Sequence, residues 1–330
     1  KRWCRHTRLG TSNFIAVMGL HLWLSLHAMT CVVLAVGDVE FTGNVRNLDP
    51  SDTILRIVIS ATRSGSTALL HCFANNPHVD MVFHQPIKSG YRENGTFSYE
   101  VFRADSKTIE SAKRMWMAKE TIGGFFRPET IFSPLPGAGD NETIGPWVVS
   151  RSSILRLKPL VLIRDPLQVW NSIQKLNEYS AGVSQFYSPF DFFVESYANV
   201  AKFLFAARKG GLPVYAVTQE MLGANPQGVL ARICDKFDIP YSDAMVHWTE
   251  SYGTKTWFSE EAQERFRSDP RFLRSKEVLQ NSPRYEYRPS KIALLASHKA
   301  IIEEQLLPIY DRAVASAEAD FGSSKGHVEL

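Results

Sequence analysis

Two short stretches of this 330-residue chain combine small, hydroxyl and basic side chains at spacings typical of anion binding. The first is Thr62-Arg63-Ser64-Gly65-Ser66-Thr67, which directly follows an apolar, β-branched run. A strand that turns through small residues into a helix forms an anion cradle, because backbone N–H groups converge there and the helix N-terminus adds partial positive charge. Gly65 would let the backbone approach a phosphate closely. Ser66 and Thr67 can donate hydroxyl hydrogen bonds, and Arg63 supplies a fixed cation.

The second stretch is residues 162–172, with the sequence LIRDPLQVWNS. Arg164 ends an apolar run, and open α/β sheets bind ligands at the carboxyl ends of their strands. Ser172 follows eight residues later, about two turns into the next predicted helix. Arg164 and Ser172 could therefore clasp one phosphate from two sides. The competing interpretation is that Arg164 pairs with Asp165 at the helix start.

Neither stretch is a Walker A loop, which requires GxxxxGK[ST], because no Gly stands at the first position and no Lys precedes Ser66. A kinase or NTPase of the P-loop class predicts magnesium-dependent ATP binding and stays open as one alternative. A non-catalytic nucleotide-binding protein of the same fold is another. The net charge of +3 and the pI near 8.6 are too mild for a nucleic-acid binder.

The four cysteines form no CxxC pair, so the sequence predicts neither a zinc site nor a disulfide framework, and we see no metal-ligand cluster. Cys72 and Cys234 lie in apolar stretches. We expect both to be buried free thiols.

The elements that must position these residues alternate along the chain between strand-like and helix-like patterns. We predict strands at 54–60, 81–84, 114–120, 160–164 and 213–218, and helices at 66–75, 165–178, 192–209, 226–237 and 292–315. This alternation predicts an α/β fold, with a mostly parallel sheet, helices on both faces and a P-loop-like nucleotide-binding core. Asp165 is the expected N-cap and Pro166 the first residue of its helix. Residues 123–146, rich in Gly and Pro, are predicted to be a long loop.

The N-terminal part divides into a basic segment (1–13), an apolar segment (14–36) and a polar linker (37–52), followed by the predicted catalytic domain (53–330). The apolar segment is long enough to span a bilayer. Its basic flank predicts a single-pass anchor with a lumenal catalytic domain in the Golgi or secretory pathway. A cleaved signal peptide, a wrongly assigned first exon and a soluble protein are the alternatives. Sequons at Asn94 and Asn141 agree with a lumenal location.

The pair TRSGST (62–67) and RDPLQVWNS (164–172) resembles the 5′-phosphosulfate loop and the 3′-phosphate motif of the sulfotransferases that use 3′-phosphoadenosine 5′-phosphosulfate (PAPS). The resemblance runs from residue 54 to about 257. It implies that the 5′ end of the donor is held by Arg63, Ser64, Gly65, Ser66 and Thr67, and the 3′-phosphate by Arg164 and Ser172. Arg63 stands where the cytosolic branch has Lys, and Arg is a larger, forked donor. The resemblance also suggests that residues 271–288 close over the nucleotide.

The resemblance further implies transfer of a sulfuryl group from PAPS to a hydroxyl or amine of an acceptor, which could be a glycan, a protein or a small molecule. No metal is needed. In-line transfer requires an aligned acceptor, a base for its proton and a cation for the leaving phosphate oxygen. Arg63 and Lys119 are the predicted cations. Residues 117–121 resemble the strand that carries the family's catalytic Lys.

The general base is less evident from the motif, because many family members place Glu before Pro at the end of the second strand. Here Gln85 precedes Pro86, and Gln cannot accept the proton. His84 and Glu120 are the candidates, and we favour His84 because strand ends face the ligand and imidazole titrates near neutrality. The competing interpretations are an ordinary strand-end His84, and a salt bridge of Glu120 with Lys119 or a nearby Arg.

Overall fold

A computed structural model describes residues 53–89, 114–124, 132–134, 147–149, 151–179, 188–249, 253–259, 262–264, 267, 277, 279, 282, 284–287 and 289–322. All lie within one compact unit, Glu40–Leu330. The predicted anchor at 14–36 and both sequons lie outside the described residues, so they stay predictions. Within the described ranges, no helix is long and apolar enough to cross a bilayer.

The main sheet has six strands in the order β7-β6-β1-β3-β2-β8, and every described pair in it is parallel. The strands are β1 (Thr53–Ala61), β2 (Met81–His84), β3 (Arg114–Ile122), β6 (Leu160–Ile163), β7 (Tyr215–Thr218) and β8 (Thr256–Trp257). The predicted α/β class with a parallel sheet is confirmed. Because all strands run the same way, their carboxyl ends meet at one edge, where both candidate anion stretches begin.

A second sheet corrects the prediction of an unbroken loop over 123–146. Strands β4 (Phe132–Pro134) and β5 (Trp147–Val149) pair in parallel. With three residues each, they are too short to give a periodic pattern in sequence.

The helices are α1 (Ser66–Ala74), α2 (Arg151–Leu157), α3 (Pro166–Tyr179), α4 (Phe190–Lys209), α5 (Gln219–Ala224), α6 (Pro226–Phe237), α7 (Ala296–Ile301) and α8 (Leu307–Phe321). Helix α3 begins as predicted, since the Asp165 carboxylate accepts the N–H of Leu167 at 2.7 Å. Cys72 and Cys234 are buried free thiols, also as predicted.

Helices cover both faces of the main sheet. On β1, Arg56 donates to the carbonyl of Phe237 at the end of α6, whereas Ala61 lies against Tyr197 and Val200 of α4. Positions 56 and 61 have opposite parity, and side chains alternate between faces along a strand. Helices α6 and α4 therefore cover opposite faces, and α1 joins α6, since Phe73 and Phe237 pack with ring centroids 6.1 Å apart.

The C-terminal helix differs from the predicted span of 292–315. It begins at Ala296 because the side chain of Asn171 binds the N–H of Ala293 at 3.2 Å, which holds the preceding segment along α3. A π-helical turn at Ile302–Leu306 separates α7 from α8. Pro308 accounts for this turn, since its ring displaces the carbonyl of the preceding turn and it has no N–H to donate.

Helix α8 packs along β7, an outermost strand of the main sheet. Asp320 near its end accepts the backbone N–H of Ala216 at 2.7 Å and forms an ion pair with Arg208. The carboxylate therefore satisfies a donor on the side of β7 that has no partner strand among the described residues.

Candidate anion-binding site

The loop between β1 and α1 has the backbone geometry of an anion cradle. Arg63 and Gly65 adopt positive φ angles of 68° and 92°, whereas Ser64 between them does not, and such an alternation turns successive N–H groups towards one point. Helix α1 has no side-chain cap, so its first N–H groups stay available for a ligand. Ser64 is buried, and its hydroxyl has no hydrogen-bond partner among the described residues.

Gly65 is also required by a neighbouring side chain, a constraint that the sequence did not reveal. A Cβ at this position would lie 2.2 Å from Oε1 of Gln219, the first residue of α5. The buried carboxamide donates through Nε2 to the hydroxyl of Tyr285 at 2.5 Å. Its Oε1 has no partner among the described residues. Sequence reasoning missed Gln219, because no local pattern links it to the loop.

The two anion stretches meet through their basic and hydroxyl side chains. Arg63 Nε donates to Ser172 Oγ at 3.1 Å, and Arg164 Nη1 donates to the carbonyl of Arg63 at 3.1 Å. The competing interpretation of Arg164 is wrong, since Asp165 caps α3 and no ion pair joins the two residues. Two guanidinium groups thus lie together with no carboxylate in ion-pair contact within the described part of the chain. This arrangement favours an anionic ligand.

Lys119 brings a third cation to the start of α1. Its ammonium donates to Thr67 Oγ1 at 2.8 Å. Desolvation by burial, together with the positive charges of Lys88 and Arg63, lowers the pKa of Lys119 to about 7 against the opposing effect of Glu120. A bound anion would favour the protonated form of this ammonium.

His84 and Lys119 project from the same face of the sheet. They are register partners in the parallel pair β2–β3, and side chains at paired positions point the same way. Neighbouring strands are only about 4.8 Å apart. His84 is buried at the end of β2, and its ring centroid lies 5.3 Å from that of Phe258.

Glu120 projects from the opposite face, because it is the next residue along β3. Its Oε1 accepts the backbone N–H of Ile87 at 2.6 Å, and its Oε2 has no hydrogen-bond partner within the described ranges. Burial raises the pKa of Glu120 to about 8. The predicted salt bridge with Lys119 or an Arg is wrong, since no ion pair involves Glu120 among the described residues.

Lys88 is a further buried cation that sequence reasoning missed. Its ammonium donates to the carbonyl of Thr121 at 3.2 Å and to that of Gly123, just beyond the end of β3. The available signal was its position four residues after the last residue of β2, at the ligand-facing edge of the sheet.

The described part of the predicted closing segment, around Tyr285 and Tyr287, lies against the second anion stretch. The guanidinium carbon of Arg164 lies 5.3 Å from the centroid of the Tyr287 ring. Further along, the side chain of Gln168 forms two hydrogen bonds of 3.0 Å with the backbone of Ser290. The segment is therefore fixed to the helix that carries Ser172.

No group of three or more His, Cys, Asp or Glu side chains suitable for a metal occurs in the described ranges.

No protein-family model and no curated protein sequence matches this chain. Among solved structures, it is similar to the sulfotransferase domain of the Synechococcus PCC 7002 olefin synthase, with 16% identity, a TM-score of 0.38, and coverage of 76% of this chain and 94% of that one. The sulfotransferase domain of the curacin biosynthetic pathway has 16% identity and a TM-score of 0.38, and the match covers 77% of this chain and 97% of that one. Mouse sulfotransferase SULT7A1 complexed with PAP has 9% sequence identity and a TM-score of 0.42. The match covers 83% of this chain and 90% of that one. These likenesses concern the course of the backbone.

Proposed function

We propose that this chain transfers a sulfuryl group from PAPS to a hydroxyl or amine of an acceptor. The observation that carries the proposal is the link from Arg164 through Arg63 to Ser172, beside a helix N-terminus without a side-chain cap. A ligand with two separate anionic groups suits this arrangement, because one group can lie in the loop and the other at the arginine–serine pair.

The chain's own residues divide between the two ends of such a donor. The loop residues Arg63, Ser64, Gly65, Ser66 and Thr67 would hold the 5′ end, and Arg164 and Ser172 the 3′-phosphate. Two buried polar atoms support the fit, because the Ser64 hydroxyl and Arg164 Nε lack partners among the described residues. Buried donors without acceptors are costly, so a ligand that satisfies them gains affinity.

In the proposed reaction, a bond forms between the acceptor oxygen or nitrogen and sulfur, while the bond from sulfur to the 5′-phosphate oxygen breaks. His84 takes the acceptor's proton. Lys119 and Arg63 stabilise the charge that develops on the leaving oxygen. We assign the base to His84 rather than Glu120 because His84 lies on the same face of the sheet as Lys119, whose ammonium donates to Thr67 at the start of α1.

The donor site is tested by calorimetry with 3′-phosphoadenosine 5′-phosphate (PAP) without metal, against ATP with magnesium. We expect micromolar binding of PAP that is lost in R164A and S172A and kept in R232A, a matched control at an exposed arginine of α6. Binding of ATP alone would favour a kinase or NTPase and overturn the proposal. Binding of neither ligand would overturn it as well.

The base is tested by the release of PAP from PAPS in the presence of a panel of hydroxyl and amine acceptors. We expect H84A to abolish turnover while its affinity for PAPS stays unchanged, and E120A to retain more activity. Turnover near the wild-type level in both variants would refute the assigned mechanism. Donor binding by the wild type without turnover on any acceptor would indicate a non-catalytic nucleotide-binding protein.

We further propose that the reaction takes place on the lumenal side of the secretory pathway, with glycans or secreted proteins as acceptors. The apolar segment 14–36 and the sequons at Asn94 and Asn141 support this location. Protease protection of the full chain in microsomes, with glycosidase treatment, tests it. A chain that is protease-sensitive and unglycosylated would refute it.

A further inference from the structure

Three groups contact Arg164 and restrict its position. Its Nη1 donates to the carbonyl of Arg63 at 3.1 Å, and its guanidinium lies over the ring of Tyr287 at 5.3 Å. Its own backbone carbonyl accepts the hydroxyl of Tyr197 at 2.8 Å. Arg164 Nε is still without an acceptor in the described part of the chain, so it is available to a ligand.

Tyr287 is in turn held by Glu220. The phenol donates to Glu220 Oε1 at 3.2 Å, and the same oxygen accepts the backbone N–H of Asp165 at 3.2 Å. Asp165 directly follows Arg164. One carboxylate oxygen therefore fixes both the ring under the guanidinium and the main chain that carries it.

We propose that Tyr287 and Glu220 are positioning residues that keep the Arg164 guanidinium directed at the bound anion. The inference rests on the proposed donor site. The Arg63 and Arg164 charges lie close enough to repel each other, and an arginine side chain has large rotamer entropy. Without the ring face, repulsion and entropy would both move Arg164 away from the site. A cation over an aromatic face is stabilised by the ring quadrupole, which opposes this movement.

The test is a set of four variants measured by calorimetry with PAP. Y287L removes the ring and should weaken binding about tenfold, whereas Y287F keeps the ring, loses the bond to Glu220 and should weaken it about threefold. E220A loses the bonds to both Tyr287 and Asp165 and should weaken binding at least as much as Y287F. E220Q keeps an oxygen for both donors and should stay within about twofold of the wild type.

Tyr241 offers a matched control, because it is also partly buried and bonded to a carboxylate, Asp243, at 3.0 Å. Y241L should leave affinity for PAP unchanged at a comparable loss of thermal stability. In an R164K background, which keeps a cation but loses the planar guanidinium that the ring supports, Y287L should cost clearly less than in the wild type, since it acts through Arg164. An equal loss in both backgrounds would overturn the positioning role.

A second measurement separates this inference from the proposed function. The Nε–Hε NMR signal of Arg164 in the ligand-free protein, assigned with R164K, should shift or broaden in Y287L and stay in place in Y241L. If the wild type binds no PAP but the signal responds in this way, the donor site is wrong and the positioning stands. If PAP binds and the signal is insensitive to Y287L, the positioning is wrong and the donor site stands.

Discussion

Binding of the proposed donor nucleotide should be coupled to the uptake of a proton by Lys119, and replacement of Lys119 should remove this coupling. Burial lowers the pKa of this ammonium from the ordinary 10.5 to about 7. If a bound 5′-phosphate restores the ordinary value, binding above pH 7 must be accompanied by protonation of Lys119. Affinity then falls as pH rises, by roughly 50-fold from pH 7 to pH 9. Phosphate groups are already ionised above pH 7 and do not mask this trend.

The assay is calorimetric titration with PAP at pH 7, 8 and 9 in buffers of different ionisation enthalpy. Proton uptake per PAP bound should rise from roughly one half at pH 7 to about one at pH 9. K119M should bind weakly with a flatter pH profile. K119R, whose charge does not titrate in this range, should keep its affinity at pH 9. K299M, at an exposed lysine paired with Glu303, serves as the matched control.

Glu120 is a neighbour of Lys119 that could imitate this behaviour. Burial raises the pKa of its carboxyl group to about 8, and ionisation near pH 8 would also weaken anion binding. E120Q should therefore preserve most of the slope if Lys119 is the source. A wild-type affinity that is constant from pH 7 to 9 would refute the reasoning. So would a slope that E120Q abolishes and K119M leaves intact.

Three further predictions concern stability and reactivity. G65A should unfold at lower denaturant concentration because its Cβ would collide with the amide of Gln219 and its φ is positive. Adding Q219A to G65A should recover part of this lost stability. Additive losses of stability in the double mutant would contradict the collision. The folded-state pKa of Glu120 is raised above its unfolded value, so its burial reduces the free energy of unfolding increasingly from pH 4.5 to 8. The wild type should lose roughly 2–5 kcal/mol across this interval, and E120Q should lack this loss in denaturation experiments. An unchanged pH dependence in E120Q would refute the assignment. Burial raises the thiol pKa of Cys234 to about 12 and that of Cys72 higher still, so peptide mapping should find neither alkylated at pH 8 in the native protein, and rapid labelling would disprove their burial.

The sequence was sufficient to predict the proximity of the two anion stretches. Strands β1 and β6 are apolar runs bounded by turn residues, and parallel strands place their carboxyl ends together. Arg63, Arg164 and Ser172 therefore had to lie near one edge once the fold class was recognised. The hydrogen bonds among them follow from that placement.

The sequence did not reveal the partners that arrive from far along the chain. Gln219 fills the space beside Gly65, and Tyr287 underlies Arg164, but neither belongs to a local pattern tied to the loop. The faces of His84 and Glu120 were also undetermined, because they depend on strand register. Register is a property of paired strands, so the sequence of a single strand does not determine which of its side chains face a given partner.

The hydrogen bond that Asp320 accepts from Ala216 helps to protect strand β7 from pairing with other molecules. Outer strands of sheets can add a strand from another molecule and start aggregation, and proteins commonly block such margins with charge or a covering helix. Helix α8 supplies both at β7. A chain shortened by premature termination before this helix would expose the margin of β7, and we expect such a chain to self-associate.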